Sequence, residues 1–142
     1  MVCYIDGGAR GNAGPAAIGF VLFDDHGREL HRYGKKIGRC TNNCAEYAAL
    51  IEVLTFLAGK NPQTIPSHKD ETVTIYSDSE LMVRQLNGIY RVRDPKLLPL
   101  YKRARDITSH FNRVKILHIP RAENRLADSI VNQVLDNRDY SA

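Results

Sequence analysis

The sequence predicts an α/β domain on a mixed β-sheet, with element order β-β-β-α-β-α-α-β-α. Two observations carry that expectation. Residues 2–37 read as alternating apolar runs parted by tight turn signals, the pattern of an antiparallel meander. Beyond them, helical spacing alternates with short β-branched runs, so some of those strands pair in parallel. The length of 142 residues supports one sizeable core, and 43% apolar with 25% charged residues is a globular composition. One domain over 1–142 is expected, with no repeat or linker inside it.

Each element has its own signal. Residues 2–6 alternate and stop at Gly7-Gly8, which puts Asp6 at or near the carboxyl end of a strand, where open α/β sheets hold ligands. Residues 16–23 form the second strand, Asp24-Asp25-His26-Gly27 turns the chain, and residues 29–37 form the third. Asn43-Cys44-Ala45-Glu46 resembles a capping box and opens a helix. Its stripe is Leu50, Val53, Leu54 and Leu57, and it ends at Gly59. Residues 61–70, polar with two prolines, read as a loop. A strand over 73–76 ends in Ser77-Asp78, and a short helix over 80–86 stops at Asn87-Gly88. Pro95 and Pro99 delay the next helix, which runs through Leu100-Tyr101 to about residue 111. A strand over 114–119, the turn Pro120-Arg121 and a helix from about 123 to 135 complete the pattern, with a frayed tail over 137–142.

The net charge is +4 and the pI about 9.1, compatible with a polyanionic partner without proving one. No apolar run approaches a membrane span, and no basic-then-apolar leader precedes Asp6. No membrane partner is expected, and a cytoplasmic location is. Cys3, Cys40 and Cys44 are odd in number, which favours free thiols over a disulfide framework. Cys40 and Cys44 lack a second Cys/His pair at zinc spacing.

Four carboxylates fall at or near element ends. Asp6 and Asp78 close strands, Glu46 lies in the first turn of its helix, and Asp128 sits early in the last helix. Leu50, Val53 and Leu57 follow Glu46 by four, seven and eleven residues, so Glu46 points with the buried stripe. Glu52 falls on the opposite side and is expected in solvent. Asp128 shares a flank with Val131 and Leu135. Carboxylates aimed inward together repel one another without a cation, and hard divalent ions take such oxygen ligands. Each acid also has an ordinary reading: Glu46 as a capping acid, Asp128 at a positive helix end, Asp6 and Asp78 as turn openers. The arrangement alone does not decide between these readings.

The local wording is more specific. Asp6-Gly7-Gly8-Ala9-Arg10-Gly11-Asn12-Ala13-Gly14-Pro15, Thr41-Asn42-Asn43-Cys44-Ala45-Glu46, Tyr76-Ser77-Asp78-Ser79 and Glu123-Asn124-Arg125-Leu126-Ala127-Asp128 together resemble type 1 ribonuclease H, in family order and across nearly the whole chain. The resemblance implies a ribonuclease H-like fold, a five-stranded mixed sheet with helices on both faces. It implies cleavage of the RNA strand of an RNA–DNA hybrid, leaving 5′-phosphate and 3′-hydroxyl ends, with two Mg²⁺ ions for which Mn²⁺ substitutes. Asp6 matches the carboxylate that bridges both ions, Asp128 the ligand on the nucleophile side, and Glu46 and Asp78 the ligands on the leaving-group side. Gly11, Asn12, Asn42 and Asn43 match the minor-groove contacts. Arg39 and Thr41 match a pair that holds a DNA phosphate.

The chain also departs from the family pattern. Leu86 runs through Gly88-Ile89-Tyr90-Arg91-Val92-Arg93 to Asp94-Pro95, with no room for the basic extra helix of many members. Lys102, Arg103 and Arg105 are candidate substitutes, though such a run is ordinarily a solvated helix face. Modest hybrid affinity and a broader range that includes duplex RNA follow from that loss. The loop that carries a catalytic histidine in the family is nearly absent here. Arg121 occupies it and is favoured as the catalytic assistant over His118, which ends a strand. The competing function is a nuclease-inactive module that binds hybrid or duplex RNA on the same fold, and the four intact carboxylates argue against it. No Asp-x-Asp pattern follows the first strand, which argues against a phosphoaspartate enzyme.

Overall fold

The computed structural model describes residues 1–59 and 68–136. Its elements are β1 (Val2–Ala9), β2 (Pro15–Phe23), β3 (Glu29–Arg39), α1 (Asn42–Leu57), β4 (Thr72–Ser77), α2 (Glu80–Leu86), α3 (Leu98–Thr108), β5 (Arg113–His118), a 3-10 turn (Arg121–Glu123) and α4 (Arg125–Asp136). The strands lie in the order β3-β2-β1-β4-β5. The meander is antiparallel, and β1–β4 and β4–β5 are parallel. The tail expected over 137–142 lies outside the described residues, as does most of the loop expected over 61–70. At that loop's end, the His68 N–H donates to the Leu57 carbonyl at 2.8 Å.

Strand alternation sorts the helices into two layers. Cys3 and Ile5 of β1, with Ile18, Phe20 and Leu22 of β2, pack into the larger core with α1, α2 and α3. The opposite faces of those strands meet α4, where Ala17 and Val21 pack on Ile130, Val131 and Val134. Helices therefore cover both faces of a five-stranded mixed sheet, as expected. Asp6 alternates with Ile5 and so belongs to the α4 side.

The central strand is longer than its sequence suggests. Gly7-Gly8 looks like a stop, yet β1 pairs with β2 as far as Ala9↔Ala16. Asp6 is therefore within the strand, not at its end. What ends there is the other neighbour: β4 accompanies β1 only to Ile5↔Ser77. Beyond that point, among the described residues, one edge of β1 has no strand beside it. The glycine is needed for packing, because a Cβ at Gly7 would lie 2.2 Å from the Ala45 carbonyl oxygen of α1. Gly19 plays the same part on the other face, where a Cβ would meet Ile130 Cγ2 at 2.8 Å.

Other expectations change in detail. Thr41, not Asn43, caps α1, accepting from the Cys44 N–H at 3.2 Å, so Glu46 is not a capping-box acid. The helix simply starts earlier than the Asn43-x-x-Glu46 spelling indicates. Pro99 stands inside the first turn of α3, where a missing N–H is harmless. Glu52 is half-buried instead of solvated, because Tyr33 and Lys35 of β3 reach its Oε1 at 3.4 and 3.5 Å.

The close helix approach at Gly7 predicts an asymmetric pair of substitutions. Gly7→Ala should destabilise the protein by about 1–3 kcal/mol or more through backbone displacement. Gly8→Ala, whose Cβ would sit 3.6 Å from Val131 Cγ1, should change stability by less than about 1 kcal/mol. Urea denaturation of both variants checks this, and equal effects would contradict the packing.

Candidate active site

The site forms where β1 outruns β4. Glu46, one turn into α1, turns its Oε1 to accept the Gly7 N–H at 2.7 Å. One turn earlier, Asn42 Oδ1 accepts the Ala9 N–H at 2.8 Å. From the other side, Asn124 Nδ2 donates to the Ile5 carbonyl at 2.8 Å. Side chains thus pair the edge groups of β1 that β4 leaves behind, as buried backbone requires. Asp78 follows the last residue of β4, and Ser79 directs the chain into α2 by accepting the Met82 N–H at 3.3 Å.

This arrangement brings the acids together. Ligand oxygens of Asp6, Glu46 and Asp78 all lie within 4.8 Å of one another. Asp6 is 6% and Glu46 7% exposed. Asp128, in the first turn of α4, completes the group from the α4 side and is half-buried. Its Oδ2 accepts from Asn132 Nδ2 at 3.4 Å, and Arg121 Nη2 lies 3.5 Å from its Oδ1. An open cleft of about 420 Å³ is lined by all four acids, Arg121 and Asn42, among others.

Crowding shows in the acids' proton affinity. Burial, then the charges of Asp78 and Asp128, push Asp6 up from the usual 3.8 to about 8. Burial, then Asp6 and Asp78, also raise Glu46 well above the carboxylate range. The Gly7 N–H opposes both shifts without cancelling them. Arg121 is a weak counter-charge, since its side chain is 80% exposed. A cluster of hard oxygen donors with so little cationic cover fits a divalent cation.

The expected substrate residues gather at the mouth of α1. Gly11, Asn12 and Ala13 all have positive φ, at 68°, 42° and 113°. Asn12 Oδ1 accepts the Asn42 N–H at 2.8 Å, docking the β1–β2 loop onto the start of α1. Both amide oxygens, of Asn12 and Asn42, therefore face backbone donors, and the two NH₂ groups point elsewhere. Asn43 is exposed beside them, and Thr41 serves as the cap. Arg39 is exposed at the end of β3, next to Cys40, whose N–H donates to the Gly14 carbonyl at 3.2 Å. Arg121 lines the cleft; His118 pairs with Ser77 at the end of β5 and is not among the cleft's lining residues. Arg105 donates to the Leu86 carbonyl at 3.1 Å. Asn124 was given no role by the sequence; its only signal is a cap-type residue one turn before Asp128.

Fold and site define a ribonuclease H-like domain with a cluster of acids placed to hold a cation. The family model described as "Reverse transcriptase-like" matches residues 4–134. Ribonuclease HI of Halobacterium salinarum is 40% identical over 134 residues, covering 94% of this chain and 63% of that protein. A bifunctional protein of Mycobacterium tuberculosis is 38% identical over 143 residues, covering 100% of this chain and 37% of that one. The crystal structure of LC11-RNase H1 in complex with an RNA/DNA hybrid superposes with a TM-score of 0.86 at 40% identity, covering 96% of this chain and 97% of that one. The chain belongs to the type 1 ribonuclease H family. It spans 63% and 37% of the lengths of the two curated relatives named here.

The raised carboxyl groups set a pH dependence for the metal-free protein. Folding retains protons that the unfolded chain releases near pH 4, so stability is full below that point. It is lost as pH rises towards about 8, where Asp6 ionises in the fold. Each retained proton contributes a slope of about 1.4 kcal/mol per pH unit. Denaturation in chelator between pH 4 and 9 should show this fall, and Asp6→Asn should flatten it and be the more stable protein at pH 8. Parallel profiles for the two proteins would contradict the crowding.

Proposed function

We propose that this protein is a metal-dependent endoribonuclease that cleaves the RNA strand of RNA–DNA hybrids, leaving 5′-phosphate and 3′-hydroxyl ends. The observation that carries the reading is the convergence of Asp6, Glu46, Asp78 and Asp128 on one cleft. Asp6 groups with Glu46 and Asp78 and also interacts with Asp128, which that group does not include, so Asp6 is the acid shared by two sets of donors. That division suits two Mg²⁺ ions, with Mn²⁺ able to substitute. Bound cations there supply Lewis acidity that acidifies an attacking water and offsets charge on the departing 3′-oxygen.

The protein's own groups do the rest. Asp6, Glu46, Asp78 and Asp128 fix where positive charge sits. Arg121 stands at the rim beside Asp128, where a guanidinium fork can meet phosphate oxygens. Always charged, it assists electrostatically and not as a proton shuttle. The NH₂ groups of Asn12 and Asn42, their oxygens already occupied, offer donors to the acceptors of a minor groove: base edges and 2′-hydroxyls. Arg39 and Thr41 lie beyond them for a DNA phosphate. The hybrid is favoured as substrate because the LC11 relative was crystallised with one. Duplex RNA, which shares the 2′-hydroxyl, is the second candidate. A cytoplasmic location goes with this reading, since Cys3, Cys40 and Cys44 are free thiols, the state that a reducing compartment maintains.

The test is incubation of a labelled hybrid with excess Mg²⁺. The expected result is cut RNA, intact DNA and no product from Asp6→Asn; no product from the parent protein at high concentration would leave only the inactive binding module. In the same assay Arg121→Ala should slow single turnover by less than the ~10²–10³-fold typical of a lost oxyanion donor, with hybrid affinity nearly unchanged. If His118→Ala is crippled and Arg121→Ala is not, the assignment of Arg121 is wrong.

A further inference from the structure

We propose that Asn124 is a positioning residue for the acid cluster, one that holds the Asp78 carboxylate in place at the expense of capping α4; the proposal rests on the cation-binding reading above. Its carbonyl accepts the Asp128 N–H at 3.1 Å, the bond that begins α4, so Asn124 occupies the cap position. An asparagine there ordinarily turns its amide oxygen back onto the first free N–H groups of the helix. Asn124 does not. Its side chain is swung into the protein, 0% exposed, and its Oδ1 has no hydrogen-bond partner among the described residues. Its Nδ2 donates instead to the Ile5 carbonyl at 2.8 Å and to Asp78 Oδ2 at 3.1 Å.

The choice of an amide has chemical sense. A lysine or arginine at this point would hold Asp78 but would also compete with a cation for its charge. A neutral N–H donor fixes one carboxylate oxygen and leaves the charge of the group intact. The same NH₂ ties three chain segments that carry ligands. Ile5 precedes Asp6, Asp78 is bonded directly, and Asp128 lies one turn further along α4. Asn124 thereby sets the separation of the acids that approach from β1, β4 and α4.

Calorimetric titration with Mn²⁺ tests this on the parent protein, Asp6→Asn, Asn124→Ser and Asn124→Leu, with metal-free melting temperatures measured alongside. Serine can cap α4 but is too short to reach Asp78, and leucine keeps the volume and the neutrality but has no donor. Both Asn124 variants should stay folded without metal and bind Mn²⁺ about 10–100-fold more weakly than the parent. Parent-like Mn²⁺ affinity in both would overturn the proposal, as would failure of both to fold, since the residue would then serve the fold alone. A parent protein that binds no Mn²⁺, with Asp6→Asn indistinguishable from it, would overturn the underlying cation reading instead.

Discussion

The structure depends on a mismatch of strand lengths. β1 continues to Ala9 on the strength of its pairing with β2, whereas β4 leaves it at Ile5. The abandoned edge carries a carbonyl at Ile5 and an N–H at Gly7 that are buried, and an N–H at Ala9 nearer the surface. Orphaned, each of the two buried groups would cost on the order of 1–3 kcal/mol. Asn124, Glu46 and Asn42 satisfy them from two different helices' starts. Those side chains, and the carboxylates beside them, are thereby drawn to one place. The strand end that makes the notch also supplies Asp78, and the helices that fill it supply Glu46 and Asp128.

Stability and function oppose each other here. Acids that burial and mutual repulsion hold towards their protonated forms serve poorly as structural glue. The surrounding packing tolerates them: α1 rests on Gly7 at backbone distance and α4 rests on Gly19, so the elements that carry the acids cannot easily move apart. Rigid elements bring the charges together, the preorganisation that binding a small hard ion would require.

Much of this was legible in the chain. Five strands, their succession with the helices along the chain and the presence of some parallel pairing follow from alternation and from the β/α rhythm after the meander. Asp6, Glu46, Asp78 and Asp128 stood out by their positions near element boundaries and on the Leu50–Leu57 stripe, but it was the resemblance of their local sequences to type 1 ribonuclease H that singled them out as metal ligands. The errors have physical causes. Gly7-Gly8 spells a turn, but here glycine serves close helix packing within a strand. Asn43-x-x-Glu46 spells a capping box, but Thr41 is nearer the true start and Glu46 finds a β1 amide instead. Glu52 looked solvated because helix periodicity cannot show that Tyr33 and Lys35 of β3 reach it. Asn124 was given no role of its own, since the helix was expected from about residue 123 and its partners Ile5 and Asp78 come from distant strands.

The central claim is that side chains complete the edge of β1 where β4 departs. Native-state hydrogen exchange at the Gly7 and Ala9 amides tests it most directly. The account predicts protection of the buried Gly7 amide comparable to the paired core of β1, weaker protection of the more exposed Ala9 amide, and selective loss at Gly7 when Glu46→Ala removes its acceptor. Exchange of the Gly7 amide in the parent protein at the rate of an open loop such as that around Gly27 would contradict it.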